Sequence, residues 1–378
     1  MAVAGSATPE GTRRYRDRMV ERGVRPDHFR QIHGLWVSSI GMGTYAGLTT
    51  DALDARYREA AVQAVRQGCN FFDTAINYRH QRSERALGEA FAEIEAEGIA
   101  ARDEIVVATK GGYIPFDGEM PRDPRGYFLA TFLAPGILRP DDVVGGLHCM
   151  SPRFLADQIQ RSLMNLGLET IDLYYVQGPE EQLPAVGAEE FERRLRAAFE
   201  MLEVKVADGL IGAYGTATWD GYRVTREEPE HLDLPRLVAI AREVGGPEHF
   251  FRWVQAPVNL AMPEALLRAT QTAAGGNQVP LIEAARRARL ALVASAALLH
   301  GQLGSGLPPE IDEALPGLDA DAQRALQFAR SSPGVAVALV GMSRPEHVEE
   351  NLALAKVPPA TPEQYRRLFR AATPGGDD

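Results

Sequence analysis

Short apolar runs alternate with longer segments of helical periodicity along almost the whole chain. In a helical segment, apolar residues recur three and four positions apart, whereas a buried strand is a short continuous apolar run. The apolar runs predict eight strands, over Val37–Met42, Asn70–Thr74, Glu104–Thr109, Thr170–Val176, Leu210–Thr216, Phe251–Val258, Leu290–Ala294 and Val335–Val340. The longer segments that follow them predict helices over Tyr57–Gln67, Ser83–Glu95, Arg153–Leu166, Phe191–Asp208, Leu234–Val244, Pro280–Ala288, Asp321–Arg330 and Pro345–Leu354.

The alternation of these elements indicates the fold class. Strands that alternate with helices form parallel βαβ units, and eight such units favour a closed (β/α)8 barrel over an open doubly wound sheet. We therefore predict an α/β protein with a single (β/α)8 TIM barrel domain over residues 31–360. Residues 1–30 form an N-terminal extension, in which the basic residues between 13 and 18 are expected on a solvated helix. Residues 361–378 are expected to form a C-terminal tail that is frayed over 372–378.

The longest segment without periodicity follows the third predicted strand, over about 111–151. It is rich in glycine, proline and aromatic residues, the last being Tyr113, Phe116, Tyr127, Phe128 and Phe132. In a barrel, a loop that follows a strand lies at the C-terminal face, where active sites are found. This long loop insertion is therefore interpreted as a lid or a substrate wall. A structural elaboration packed on the side of the barrel is the alternative.

Composition and charge narrow the class of protein. Of the 378 residues, 45% are hydrophobic and 24% are charged, which excludes a mostly disordered or collagen-like chain. The 40 lysines and arginines against 51 acidic residues leave a net charge of −11, which argues against nucleic acid as a main partner. The apolar runs are far shorter than the roughly 20 residues of a membrane helix. Two cysteines, Cys69 and Cys149, and no readable secretory signal favour a cytoplasmic protein without a disulfide framework or a zinc site.

The familiar phosphate-binding motifs are missing from the sequence. Gly41-Met42-Gly43 comes closest to a G-x-G-x-x-G fingerprint, but Tyr45 and Ala46 break the pattern, and no P-loop motif is present. The remaining candidate is the turn after the eighth predicted strand, because a glycine and a hydroxyl at a helix N-terminus offer backbone N–H groups to a phosphate. The residues of this turn that bear on a phosphate are Gly341, Met342, Ser343, Arg344 and His347.

Three polar residues lie at or just beyond the ends of two predicted strands. Asp73 ends the second strand, Lys110 follows the third, and Tyr78 lies five residues after Asp73. On one barrel rim, a buried lysine beside a phenol is expected to favour the phenolate and lower the pKa of Tyr78, while a carboxylate keeps the lysine charged and in place. Such a phenol can act as a general acid near neutral pH. Taken alone, Asp73 is more often a cap, Tyr78 a packed ring and Lys110 a surface charge, so only their combination indicates chemistry.

These motifs resemble those of the aldo-keto reductase superfamily. The stretch Phe71–Tyr78, followed by Ser83–Gly88, is similar to the aspartate–tyrosine signature of that family, and Ile105–Lys110 is similar to its lysine strand. Gly341–Asn351 is similar to its C-terminal phosphate-binding segment. The resemblance covers roughly 37–355 and implies a barrel that binds NADPH or NADP+ across its C-terminal mouth. It implies reduction of a small-molecule carbonyl compound, or oxidation of the alcohol, in specialised metabolism or elsewhere.

The resemblance also implies roles for individual residues. Tyr78 corresponds to the proton donor of the family, and Lys110 and Asp73 correspond to the residues that tune its pKa. The cofactor would be contacted by Gly43 and Thr44 near the nicotinamide, by Gln255 at the carboxamide, and by Gly341, Met342, Ser343, Arg344, His347, Glu350 and Asn351 around the adenosine 2′-phosphate and the adenine. Arg344 favours NADPH over NADH, because a guanidinium suits the additional phosphate. No metal is expected.

The sequence departs from the family pattern after the fourth predicted strand. Gln177 stands where the family has a histidine that donates a hydrogen bond to the substrate carbonyl. A glutamine can still donate through its amide but cannot carry a proton, so a reductase with this site is expected to be slow or tuned to an unusual substrate. Smaller departures are Ala217-Thr218, where many members have a serine–asparagine pair, and Ser295, where a tyrosine often stacks on the nicotinamide.

These departures keep other functions open. His80 and His148 are candidates to enter the mouth in place of the missing histidine, and Trp219 is a candidate apolar wall for a ring-shaped substrate. A barrel with Gln177 could instead catalyse a redox-neutral elimination, isomerisation or cyclisation. A third alternative is a non-catalytic NADPH-binding subunit, which keeps the phosphate-binding segment beside an altered carbonyl site.

Overall fold

The computed structural model describes residues 2–273 and 275–371. Its strands are β1 (Phe29–Ile32), β2 (Leu35–Ser38), β3 (Ile40–Gly43), β4 (Phe71–Asp73), β5 (Val106–Gly111), β6 (Ile171–Gln177), β7 (Ile211–Ala217), β8 (Phe251–Pro257), β9 (Gln271–Thr272), β10 (Gln278–Val279), β11 (Ala291–Ser295) and β12 (Val335–Gly341). Its α-helices are α1 (Pro9–Glu21), α2 (Asp51–Arg66), α3 (Arg82–Ala96), α4 (Pro124–Phe128), α5 (Pro152–Leu166), α6 (Leu183–Val186), α7 (Ala188–Ala207), α8 (Leu234–Gly245), α9 (Glu264–Leu267), α10 (Leu281–Ala288), α11 (Pro309–Ala314), α12 (Asp321–Ser331), α13 (Pro345–Leu352) and α14 (Pro362–Ala371). The predicted frayed end, 372–378, lies outside the described residues. Over the described ranges, the chain has no helix that is both long and apolar enough to cross a bilayer.

Eight parallel strands close into a barrel. Neighbouring strands pair in the order β11-β12-β3-β4-β5-β6-β7-β8, and β8 pairs with β11 to complete the ring. Helices follow the strands along the chain, so the predicted (β/α)8 TIM barrel is confirmed. The strands appear in the sequence as continuous apolar runs because one face of each fills the barrel and the other packs against the helices.

The predicted strand Val37–Met42 is two strands in the structure, which corrects the first boundary. Its beginning belongs to β2, which pairs with β1 in an antiparallel hairpin, and its end belongs to β3 of the barrel. The chain bends between them: the Ser38 hydroxyl donates to the carbonyl oxygen of Ile40, and the Ser39 N–H donates to that of His28, both at 2.7 Å. A bend held by hydrogen bonds of this kind cannot be predicted from a run of apolar residues.

The barrel interior is filled with side chains at its N-terminal half. Phe71 and Trp253 pack there with ring centroids 5.9 Å apart, and Val337 is fully buried beside them. Gly41 lies in the same layer, where an added Cβ would come within 2.8 Å of the Val337 side chain and 3.0 Å of Phe71. The first glycine of the partial fingerprint therefore serves close packing, and the space for a ligand lies at the C-terminal half.

Helix α1 packs against the N-terminal end of the barrel. The Tyr15 side chain is fully buried, and its hydroxyl donates to the carbonyl oxygen of Val65 at 2.6 Å. Arg14 and Arg18 form ion pairs with Glu104, whose side chain is almost completely buried. Arg14 is 52% exposed, as expected for a solvated basic helix, whereas Arg18 is only 28% exposed because a buried carboxylate needs a cationic partner.

The insertion over 111–151 packs mainly on itself. It contains α4 and a π-helical turn that follows it. Phe132 and Cys149 are buried in a small core that also includes Phe154 of α5. Of the aromatic residues predicted to form a lid, Tyr113 lines the large cavity at the mouth of the barrel. The segment is therefore largely the elaboration on the side of the barrel, the alternative interpretation, with a contribution to the cavity wall.

Part of the predicted C-terminal tail is a helix that packs on the barrel. Tyr365 of α14 lies against Phe328 of α12, with ring centroids 5.4 Å apart and planes that differ by 8°. The hydroxyls of Tyr365 and Ser332 lie 2.7 Å apart, and Leu368 is buried. The packed domain therefore extends beyond the predicted boundary at residue 360, because the apolar face of this helix has a partner on the barrel.

Candidate active site

A cavity of about 910 Å³ opens at the C-terminal mouth of the barrel. Its walls come from the carboxyl ends of the strands and from the turns that follow them, the usual location of active sites in this fold. The predicted site residues that line it are Gly43, Thr44, Asp73, Tyr78, Lys110, Gln177, Gln255, Gly341, Ser343, His347, Glu350 and Asn351.

Asp73 and Lys110 form a buried ion pair at the base of this cavity. Their side chains are 4% and 1% exposed, because β4 and β5 are neighbours and both end at the mouth. The Lys110 ammonium also donates to the carbonyl oxygen of Thr74 at 2.8 Å. Gln255, at the end of β8, donates from Nε2 to the second carboxylate oxygen of Asp73 at 2.8 Å. Both oxygens of Asp73 are therefore held, and Lys110 has a fixed position.

Tyr78 lies above this ion pair. The Lys110 Nζ is 4.9 Å from the centroid of the Tyr78 ring. Burial raises the pKa of Tyr78, and the opposing effect of the Lys110 charge is smaller, so the net shift is upward. This corrects the expected lowering, because the sequence shows the cation but not the desolvation. For Lys110, burial lowers the pKa, but Asp73 and Tyr78 together outweigh it and the net shift is upward.

The Ser83–Gly88 motif holds helix α3 against the mouth. The Ser83 hydroxyl donates to the carbonyl oxygen of Thr44 at 2.8 Å, and Thr109 on β5 donates to the buried Glu84 carboxylate at 2.7 Å. At Gly88, an added Cβ would lie 2.5 Å from the carbonyl oxygen of Asn165 on α5. The motif thus fixes the backbone around the Asp73–Lys110 pair and needs no contact with a ligand.

Gln177 faces the cavity from the end of β6. Its Oε1 is buried and has no hydrogen-bond partner among the described residues. Behind it, His148 Nε2 lies 2.8 Å from the Gln177 carbonyl oxygen, and His148 Nδ1 lies 2.9 Å from the Gln182 amide nitrogen. Burial lowers the pKa of His148 to about 4, so this ring is neutral and supports the backbone. His148 therefore does not replace the missing histidine.

His80 does not replace it either. The His80 ring packs on Phe116 of the insertion, with centroids 5.5 Å apart, and lies outside the cavity lining. A third histidine, which the sequence did not single out, does reach the cavity. His300 stacks on Trp219 with centroids 5.8 Å apart, and Tyr45 lies 5.4 Å from the His300 ring. These rings form an aromatic wall that includes the predicted Trp219.

The position of His300 depends on an unusual backbone. Ala296, Leu299 and His300 all have positive φ values, of 55°, 44° and 54°. Side chains other than glycine, asparagine and aspartate rarely adopt this conformation, so the sequence contains no signal that predicts the turn. This turn after β11 carries the imidazole over the mouth.

Two residues of the predicted phosphate-binding segment lie outside the cavity lining. The Met342 side chain is fully buried in the hydrophobic core, so contact with a cofactor is restricted to its backbone. Arg344 is the N-cap residue of α13, and its exposed side chain is not part of the lining. Met342 directly follows β12, and its side chain packs among the apolar side chains of the core, so it does not reach the mouth.

The remaining residues of this segment form a polar end of the cavity. Ser343, His347 and Glu350 line it together with Asn351, which is 3% exposed. The Asn351 Oδ1 is buried without a hydrogen-bond partner among the described residues. A buried acceptor of this kind suits a ligand with an N–H donor.

Neither cysteine of the chain lies in the lining of this cavity. Within residues 2–273 and 275–371, no group of three or more histidine, cysteine, aspartate and glutamate side chains has the arrangement of a metal site. Cys69 and Cys149 are free and buried, and burial raises the pKa of both thiols.

The chain is similar to known proteins over most of its length. A sequence model of the aldo/keto reductase family matches residues 39–237, more than half of the chain. A probable voltage-gated potassium channel subunit beta of Arabidopsis thaliana is 24% identical over 343 residues, covering 87% of this chain and 91% of that protein.

Solved structures share the fold. An aldo-keto reductase from Bacillus halodurans in its holo form has a TM-score of 0.63 at 18% identity, covering 92% of this chain and 97% of that one. An aldo/keto reductase from Klebsiella pneumoniae in complex with NADP and acetate has a TM-score of 0.61 at 19% identity, covering 93% of this chain and 97% of that one. Since the family model covers more than half of the sequence, this chain belongs to the aldo/keto reductase family.

Proposed function

We propose that this protein is an NADPH-dependent oxidoreductase that reduces a carbonyl group of a small molecule, or oxidises the corresponding alcohol. The observation that carries the proposal is the buried Lys110 between Asp73 and Tyr78 at the mouth of the barrel. A general acid needs a proton at neutral pH and a cation that stabilises the base left behind. The raised pKa of Tyr78 provides the first, and the raised pKa of Lys110 provides the second.

The polar end of the cavity fits the adenosine end of NADPH. The unpartnered Asn351 Oδ1 suits the amino group of adenine. Helix α13 begins beside the cavity, and its N-cap residue makes no side-chain capping bond, so backbone N–H groups are open to a phosphate. Arg344 is exposed next to these groups and suits a 2′-phosphate. The Klebsiella pneumoniae relative, crystallised with NADP, supports this choice of cofactor.

The chain's own residues then supply the proton and the orientation. When bound, the reduced cofactor supplies a hydride to the carbonyl carbon. Tyr78 gives its hydroxyl proton to the carbonyl oxygen, so that the product is an alcohol, and the reverse reaction returns the proton to the phenolate. Lys110 stabilises the phenolate, and Asp73 with Gln255 keeps Lys110 in place. The Gln177 amide orients the carbonyl through an N–H donor.

A titration with NADPH and NADH, followed by quenching of tryptophan fluorescence, tests the cofactor part of the proposal. Trp219 lines the cavity, so a bound nicotinamide should quench it. We expect micromolar or tighter binding that favours NADPH, followed by hydride transfer to members of a broad aldehyde and ketone panel. Failure of both nucleotides to bind would overturn the proposal.

Two specific observations favour other functions and define further outcomes. The presence of Gln177 in place of the usual histidine favours a redox-neutral reaction at Tyr78 and Lys110. Such a reaction would form product without consuming the cofactor. The relative from Arabidopsis thaliana is named as a channel subunit, which favours an NADPH-binding subunit without turnover. Tight NADPH binding with no hydride transfer over the whole panel would select the subunit over the reductase.

A further inference from the structure

Glu180 is a buried carboxylate in the cavity wall, three residues after Gln177. It is 5% exposed and lines the cavity. Its Oε1 accepts a hydrogen bond from the backbone N–H of Trp219 at 2.7 Å. Its Oε2 is buried and has no hydrogen-bond partner among the described residues. One oxygen thus holds the start of the turn after β7, and the other is left over.

Such a half-satisfied carboxylate is costly to bury. A carboxylate in a low-dielectric site needs a cation or several hydrogen-bond donors. Within the described residues, Glu180 takes part in no ion pair, whereas Asp73 in the same cavity is paired with Lys110. The neighbouring Glu181 interacts with its charge unfavourably. The backbone N–H groups of Glu180, Trp219 and Gly221 stabilise the carboxylate, but among the described residues no donor forms a hydrogen bond with Oε2.

Two other residues that line the cavity also carry unpartnered acceptors. The amide oxygens of Gln177 and Asn77 are buried without partners among the described residues. Asn77 precedes Tyr78, and Gln177 precedes the Gly178-Pro179 turn that leads to Glu180. Unpartnered acceptors in the cavity lining favour a ligand with hydrogen-bond donors, and the ionised Glu180 disfavours a second carboxylate beside it.

We propose that Glu180 is a specificity-determining residue that binds a hydroxyl or protonated amino group of the substrate. This inference rests on the proposed reductase function and names its substrate class: carbonyl compounds with a hydrogen-bond donor on a second atom. Keto acids and purely apolar carbonyl compounds are poor substrates, because they leave the Glu180 oxygen unpartnered or place a second negative charge beside it. The reaction itself is unchanged, since Glu180 takes no part in the transfer of hydride or proton.

A matched substrate series tests this assignment. The compounds are 3-(hydroxymethyl)benzaldehyde, 3-(dimethylaminomethyl)benzaldehyde, the isostere 3-ethylbenzaldehyde and 3-formylbenzoate. The assays are run at a pH of about 8, where Glu180, with a pKa of about 7, is ionised. A hydrogen bond to this buried charge gives a preference of about ten- to a hundredfold in kcat/KM for the donor compounds over the ethyl compound. The hydroxyl and ammonium compounds together distinguish which donor is preferred. Equal kcat/KM for the donor and ethyl compounds would overturn the assignment.

Two variants separate recognition from support of the Trp219 turn. Glu180→Gln keeps an oxygen for the Trp219 N–H but turns an amide N–H₂ toward the cavity, so the donor preference should vanish or reverse. Glu180→Ala removes both contacts. If Glu180 only supported the Trp219 turn, the Glu180→Gln variant would keep the wild-type preference for donor compounds. That result would overturn the proposal. The control variant Glu181→Gln removes a negative charge from the neighbouring residue and should keep the preference for donor compounds. If Glu181→Gln loses this preference, the assignment to Glu180 is contradicted.

A binding measurement tests the contact with Glu180 without requiring that the protein reduce any compound. Calorimetric titration of the wild type and Glu180→Gln with 3-(hydroxymethyl)benzamide and 3-ethylbenzamide reports the same contact without reduction. We expect about tenfold tighter binding of the hydroxymethyl compound by the wild type only. If no aldehyde is reduced but this preference remains, the reductase function fails and the donor site stands. Equal binding of the two amides by the wild type overturns the donor site.

Discussion

The two sides of the cavity differ in how completely the protein satisfies its own polar groups. On one side, both oxygens of Asp73 have partners, and Lys110 is held by Asp73 and the Thr74 carbonyl. On the other side, the Gln177 and Glu180 side chains each leave a buried oxygen without a hydrogen-bond partner in the described part of the chain. A site for proton transfer benefits from fixed charges before the substrate arrives. A recognition site is completed by the substrate, so the unpartnered wall indicates where specificity lies.

Removing the cation from the satisfied side should have the largest effect. Lys110→Met leaves the Asp73 carboxylate buried without its partner, which should lower the free energy of unfolding by about 3–5 kcal/mol. Urea unfolding measures this loss. Lys205→Met breaks a surface ion pair with Asp208 and should cost no more than about 1 kcal/mol. An Asp73→Asn/Lys110→Met double variant should regain part of the stability without regaining activity.

Removal of the phenol tests the proton on the same side. Tyr78→Phe keeps the ring above Lys110 but has no proton to give, so kcat/KM for aldehyde reduction should fall by about 10²–10⁴-fold. NADPH binding, measured by fluorescence, should change little. The matched control is Tyr127→Phe, which removes a phenol hydroxyl from the insertion, where Tyr127 packs on Phe116. Full activity of Tyr78→Phe would exclude the proton-donor role.

The buried Glu180 on the unpartnered side should make the free energy of unfolding depend on pH. Burial raises the pKa of Glu180 to about 7, whereas a glutamate in an unfolded chain has a pKa of about 4.3. Between these values the folded protein holds a proton that the unfolded chain releases, so this group's contribution falls by roughly 3 kcal/mol as the pH rises from about 4 to 7. Urea unfolding across this range should show the decline in the wild type and in Glu181→Gln. Glu180→Gln should lack it.

The smallest expected effects concern the carbonyl contact of Gln177. Gln177→His restores the usual donor and should raise reduction of simple aldehydes about tenfold, whereas Gln177→Leu removes the donor and should lower it by about 10²-fold. Both variants are compared with the wild type by their kcat/KM for one unsubstituted aldehyde. If neither variant changes this value, Gln177 does not contact the carbonyl.

The sequence predicted the satisfied side of the cavity better than the unpartnered side. Asp73, Tyr78 and Lys110 lie in motifs with regular spacing, and the closed barrel brings the ends of β4 and β5 together. The direction of the Tyr78 pKa shift was not predictable, because it depends on how much water the fold excludes. Glu180 was missed because a glutamate in a turn is usually solvated, and only its burial reveals it.

Boundaries and turns were predicted least well. The bend at Ser39 and the helix over Pro362–Ala371 depend on contacts with segments far away in the chain, as between Tyr365 and Phe328. His300 reaches the mouth through a turn with positive φ values that its residues do not favour locally. Long-range packing outweighs the local backbone preference of the residues at such positions, so the sequence pattern alone does not predict their structure.

The sequence by itself determined the barrel and showed that the candidate catalytic residues lie at the ends of its strands. Periodicity is a local property, and eight repeats of strand and helix leave few other ways to bury the apolar faces. The tertiary structure alone decided which polar atoms are buried, which of them have partners and which side chains face the cavity, as for Met342 and Glu180. These properties depend on neighbours brought together from distant parts of the chain, and desolvation by those neighbours is what gives a polar group its chemistry.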